Sequence, residues 1–221
     1  MWVLSGKKVV IFYNLLLDKS HFITEVNTVY TEHELKELRK AIYENAADQL
    51  LWQILYINAV AQHAPNLSVV RNKLLSLPKN FELIMLNSVN SPTVRNLTQA
   101  VYEGNRLFVE YVDCVFHGGD DKGVIRQKLD DNIQYITKCL CQINPQWGDT
   151  QWKTMIHHQI ELMNTVMYDA KEGKYEDWSL ILPVIRRLKM DMADYLAHGI
   201  SGLDQARHHG QEDQTPSKAS S

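Results

Sequence analysis

The chain has 221 residues, 45% apolar and 22% charged, which is enough to bury one sizeable core. A formal charge of -3 supplies no basic field to neutralise phosphates, which argues against nucleic acid as a partner. Cys114, Cys139 and Cys141 are odd in number and lie within helical periodicity. They fit small buried hydrophobes in a reducing, cytoplasmic setting better than a disulfide framework, and Cys139-Leu140-Cys141 lacks the spacing of a zinc site.

Lys7 and Lys8 precede an apolar run, Val9 to Leu17, that is too short to cross a bilayer. The run contains Asn14 and leads into Asp18-Lys19-Ser20 instead of a small-residue cleavage site. Residues 1–30 therefore read as an N-terminal extension, packed on the rest or left loose. Thr31-Glu32-His33-Glu34 has capping-box spacing and predicts a helix start. The helix continues through apolar positions 38, 42, 46, 50, 57 and 60 until Ala64-Pro65-Asn66, and Leu50 to Ile57 is apolar nearly all round, as in an element touched from several sides.

Ser68 can cap a second helix, which Pro78 is expected to kink or restart before Phe81 to Leu86. Ser91-Pro92 predicts a third helix, running to His117 and ended by Gly118-Gly119. A fourth covers Lys122 to Ile143, closed by Asn144-Pro145; Asp149 or Thr150 caps a fifth that ends near Gly173. The sixth spans about Asp177 to His198, with a kink at Pro183 and Gly199 as its left-handed terminator. The composition then turns polar, and 201–221 reads as a disordered tail. The expectation is an all-α, up-and-down bundle of five to six helices over residues 31–200, with no sheet.

At about 100° per residue, four uncharged amides fall on apolar stripes. Gln49 and Gln53 share the face of Ile42, Ala46, Ile57 and Val60; Asn105 lies among Val94, Leu97, Val101, Phe108, Val112 and Val115; Gln159 lies among Trp152, Ile156, Ile160, Met163, Met167 and Ala170. Glu103 and Glu110 point away from the third-helix stripe, and His157, His158 and Glu161 from the fifth. On the sixth, Leu188, Met192 and Tyr195 are expected inside, with Arg187 and Asp191 as a flanking pair. Metal sites in helical bundles use inward carboxylates and imidazoles, for which amides are poor substitutes. Amides that meet can satisfy one another and fix register, and amides around a cavity can hold water or a small polar ligand.

The run Asn144-Pro145-Gln146-Trp147, then Met155 to Leu162, Gly173-Lys174-Tyr175, and Met192-Ala193-Asp194-Tyr195-Leu196-Ala197-His198-Gly199-Ile200 resembles a bacterial family of small all-helical, ferritin-like proteins without assigned activity. That family carries an NPxW turn before a His-containing helix and closes on MADxLSxGI. The resemblance covers roughly residues 35 to 200. Where the family pattern has Glu-His on the third helix this chain has Gly104-Asn105; a second His on the fifth is replaced by Gln159, and a sixth-helix His by Arg187. If those positions bind metal in the family, this member has lost all of them but His157.

The leading expectation is a non-catalytic binding or interaction module without cofactor, with Gln49, Gln53, Asn105 and Gln159 as candidate ligand-binding residues. A cavity around Asn105 and Gln159 would make it a small-ligand binder. The first alternative is a ferritin-like metalloprotein holding a divalent metal ion with His157, Glu161, Asp191 or Asp194. The second is a peripheral membrane-associated bundle using residues 2–17, where Trp2, Phe12 and Tyr13 suit an interface. No glycine-flanked serine elbow and no P-loop spacing occur, and the pattern leaves a homodimer open.

Overall fold

In a computed structural model, residues 31–89 and 91–212 are described, with side chains through residue 202. The expectations for residues 2–17 and for 213–221 lie outside that set. Six helices follow in order: α1 (Glu32–Ala61), α2 (Leu67–Ser88), α3 (Thr93–His117), α4 (Lys122–Ile143), α5 (Asp149–Glu172) and α6 (Trp178–Glu212), with a 3-10 turn at Tyr175–Asp177 leading into α6. No strand occurs among the described residues, and none of their helices is long and apolar enough to cross a membrane.

The helix ends follow local backbone chemistry. The Glu34 N–H donates to Thr31 Oγ1 at 3.2 Å and the Thr31 N–H to Glu34 Oε2 at 2.8 Å, so the capping box satisfies two donors reciprocally. Ser91 Oγ accepts from the Thr93 N–H at the start of α3. Gly118 and Gly173 close α3 and α5 at φ +79° and +74°, a region that side chains with a Cβ rarely enter. At α2 the expected Ser68 cap is replaced by a start at Leu67, with Asn66 in the cap position and no side-chain cap bond.

Each helix packs on its neighbour in sequence and α1 packs on α6, which closes the six into a ring; α1, α3 and α5 also touch one another across the middle. Antiparallel neighbours and short connections give the up-and-down topology. The core has two apolar parts. One holds Tyr56, Leu74, Leu107, Val112, Met167 and Ile185, and the other Ile42, Met85, Leu97, Leu140, Trp152 and Ile200. As the sequence suggests, α1 is central, contacting α2, α3, α5 and α6. Its apolar surface is nevertheless not covered all round, since Leu51 is 51% and Leu55 36% exposed.

Several features of α2 and α6 bear on the expectations. The helix α2 is continuous through Pro78. Pro183 likewise sits inside an unbroken α6, and Gly199 does not end that helix, which continues to Glu212. Gly199 is needed for a different reason: a Cβ there would lie 1.6 Å from Trp147 Nε1. The indole of the loop after α4 occupies the space beside the α6 backbone at this point, and only a glycine admits it. The same contact joins the two motifs that carry the family resemblance. Asn144 Nδ2 donates to the Gly199 carbonyl at 3.0 Å, the Gly148 N–H donates to the Tyr195 hydroxyl at 2.9 Å, and Trp152 meets Trp147 edge to face and Tyr195 at a tilt. Finally, the buried face of α6 is Ile185, Ala193, Leu196, Ala197 and Ile200, rotated from the expected Leu188, Met192 and Tyr195, which are only half-buried. Arg187 and Asp191 do not come within ion-pair distance, because both are exposed and nothing holds them together.

Candidate functional site

Where the two apolar parts of the core meet, every helix crosses from one to the other at a break in its apolar stripe. On α1 the stripe passes from Ile42 to Ile57 through Gln49 and Gln53, on α3 from Leu97 to Leu107 through Asn105, and on α5 from Met155 to Met163 through Gln159. On the descending helices it passes from Leu77 to Met85 through Pro78, from Leu129 to Cys139 through Asn132, and from Ile185 to Ala193 through Lys189. The molecule has a polar waist made by one or two residues per helix. All four amides singled out in the sequence lie in it; Gln53, Asn105 and Gln159 are buried and Gln49 is half-buried.

The amides satisfy two kinds of demand. Proline has no N–H, so Pro78 leaves the Leu74 carbonyl one turn earlier without its helical donor. Asn105 Nδ2 reaches across from α3 and donates to that carbonyl at 3.0 Å. Gln49 Nε2 in turn donates to Asn105 Oδ1, so three helices are tied at one point. That bridge satisfies the carbonyl that the proline leaves without a donor. Separately, Gln159 Nε2 donates to Gln53 Oε1 at 3.3 Å, which links α5 to α1. Asn132 Nδ2 donates to the Ala100 carbonyl at 3.1 Å and passes where a Cβ on Gly104 would stand 2.9 Å away. Gly104, read from the sequence only as a departure from the resembled family, makes room for the α4 amide.

These groups do not fill the waist. A cavity of about 240 Å³ lies there, lined by side chains of all six helices. Its wall is mainly apolar, with Phe81, Phe108, Ile133, Trp152, Met163 and Leu196 among the residues that shape it. The polar part comes from Gln49, Gln53, Asn105, Gln159, Asn45, Asn132 and Asn164, from Tyr111, and from Lys189. The lining contains no Asp, Glu, His, Arg, Cys, Ser or Thr. Lys189 is thus its one charged side chain. It is half-buried and makes no hydrogen bond or ion pair among the described residues, and loss of hydration beside the apolar wall lowers its pKa from 10.5 to about 8. Burial also raises the Tyr111 phenol.

The residues of the metal alternative are dispersed. Glu161 is bonded to Arg126 and 60% exposed; His157, 42% exposed, lies 3.8 Å from Asp130, which Arg126 also approaches. Together they make a surface ion cluster between α4 and α5. Asp191 is exposed, and Asp194 is half-buried, where its hydrogen bond with Tyr43 raises that phenol. Among the described residues no group of three or more His, Cys, Asp or Glu stands where it could hold a metal ion.

Lys189 escaped the sequence reading, although a signal for it exists. Ile185, Lys189, Ala193, Leu196 and Ile200 recur at i, i+4, i+8, i+11 and i+15, which places the lysine inside the buried stripe. Asn132 similarly falls one position before Ile133 on the buried face of α4. Comparison with family models, curated proteins and solved structures gives no match to this chain.

Proposed function

We propose that this bundle is a small-ligand binding module whose site is the waist cavity, and that it acts without catalysing a reaction on its ligand. The observation that carries the reading is the space of about 240 Å³ bounded by all six helices and edged by amides already bonded in register. A tightly packed bundle has few voids larger than a water molecule, and an engineered apolar cavity of about 150 Å³ takes up benzene. By proportion this one suits a ligand of about ten non-hydrogen atoms, mainly apolar, with a polar end. A binding role is supported by the lining, which among the described residues holds no acid, base or nucleophile apart from Lys189 and the Tyr111 phenol. On this reading, the family resembled by the Asn144–Trp147 and Met192–Ile200 motifs would share the bundle, and this member would use Asn105 and Gln159 as neutral waist residues.

The test is calorimetric titration with octan-1-ol, paired with Ala46→Phe, which places a ring in the cavity from α1. Saturable binding to the natural protein, lost in a variant whose circular dichroism is unchanged, is the expected result. Absence of binding, or binding indifferent to Ala46→Phe, refutes the proposal.

A further inference from the structure

We propose that the waist cavity is a carboxylate site, taking a medium-chain alkyl or aryl carboxylate whose apolar part lies between the two apolar halves of the core and whose anion pairs with the Lys189 ammonium. This rests on the small-ligand reading above and names its ligand class. Three observations carry it. Among the described residues Lys189 is the one charge in the lining, and no carboxylate reaches it. Lys189 is half-buried at the cavity wall among apolar side chains and neutral amides, and a cation so placed is short of hydration, which an entering anion relieves. The wall also supplies neutral donors for the second carboxylate oxygen, since the Gln53 amide accepts from Gln159 while its own N–H groups make no hydrogen bond among the described residues.

The lowered pKa of about 8 is compatible with this pairing, because the amine still carries its proton at neutral pH. An anion drawn into the cavity raises it again. Imine formation with a carbonyl ligand is the other chemistry open to such a lysine. It is disfavoured here because dehydration of the carbinolamine needs a group to deliver and remove protons, and among the described residues the lining offers no carboxyl or imidazole, only the Tyr111 phenol, which burial makes a weaker acid.

Octanoate and octan-1-ol are nearly isosteric and have about the ten non-hydrogen atoms that the volume suggests. Titrated calorimetrically into the full-length protein at pH 7, octanoate should bind at least tenfold more tightly than the alcohol, and Lys189→Met should bring the ratio close to one. If the alcohol binds and octanoate gains nothing over it, or if Lys189→Met keeps the preference, the carboxylate assignment is overturned while the cavity reading stands. If neither binds, both fall. Should Lys189→Met not fold, the ratio in the natural protein decides the question, and Lys189→Gln supplies the second variant.

Discussion

At the scale of single residues, the side chain with the most demanding task is Asn105. It stands in for the N–H that Pro78 lacks and also accepts from Gln49, so its removal leaves the buried Leu74 carbonyl without a donor and an α1 amide without an acceptor. A buried group left unpaired costs about 1 to 3 kcal/mol, so Asn105→Ala should lower the unfolding free energy by at least that amount, measured by urea denaturation. Pro78→Ala tests the cause, because it restores an N–H for Leu74. In the Pro78→Ala background Asn105→Ala should be milder, with a coupling of about 1 kcal/mol in the double-mutant cycle. Simple additivity of the two substitutions would mean that Asn105 and Pro78 do not share the Leu74 carbonyl.

Between helices the decisive contact is the one that Gly199 allows. With a Cβ 1.6 Å from Trp147 Nε1, Gly199→Ala requires the buried indole to leave its place, which disturbs its edge-to-face contact with Trp152 and, through that ring, Tyr195. Overpacking of this kind costs about 3 kcal/mol or more, and part of the loss should return when Gly199→Ala is combined with Trp147→Ala. A Gly199→Ala midpoint in urea within experimental error of the natural protein would refute the close approach.

The same position shows what could and could not be read from the chain. Thr31, Ser91-Pro92, Gly118 and Gly173 were legible because a helix end is settled within a few residues of sequence. The inward phase of Gln53, Asn105 and Gln159 was legible because α1, α3 and α5 each carry a long regular stripe. The partners of Pro78 and Gly199 were not legible because they come from elsewhere in the fold, Asn105 on α3 donating to the carbonyl that Pro78 leaves free and Trp147 after α4 occupying the space beside Gly199. Lys189 was missed for a further reason: Leu188 and Met192 fit a neighbouring phase of α6 almost as well, and only packing against α1 and α5 chooses between them.

For the molecule as a whole, an uncompensated cation at the waist has a thermodynamic signature. The pKa of Lys189 is about 8 in the folded chain against 10.5 for an exposed lysine. Below pH 8 both states hold the proton, and the folded state bears the penalty of holding the charge half-buried. Between pH 8 and 10.5 the unfolded chain binds more protons than the folded one, so stability rises with pH. Integrated over that window the shift amounts to about 3 kcal/mol. Tyr43, Tyr56 and Tyr111, together with the exposed Lys122 and Lys174, have raised values and act in the opposite direction as pH climbs. Of these only Tyr111 faces the cavity beside Lys189. The difference between the natural protein and Lys189→Met cancels their contribution. Urea unfolding at pH 7 should find the Lys189→Met protein the more stable, with the gap closing steadily by pH 10. A saturating carboxylate should close it at pH 7 as well, since pairing with an anion removes the penalty that deprotonation removes. A gap that is the same at pH 7 and pH 10 would mean that the Lys189 amine is hydrated, and the waist would then lack the charge that makes it selective.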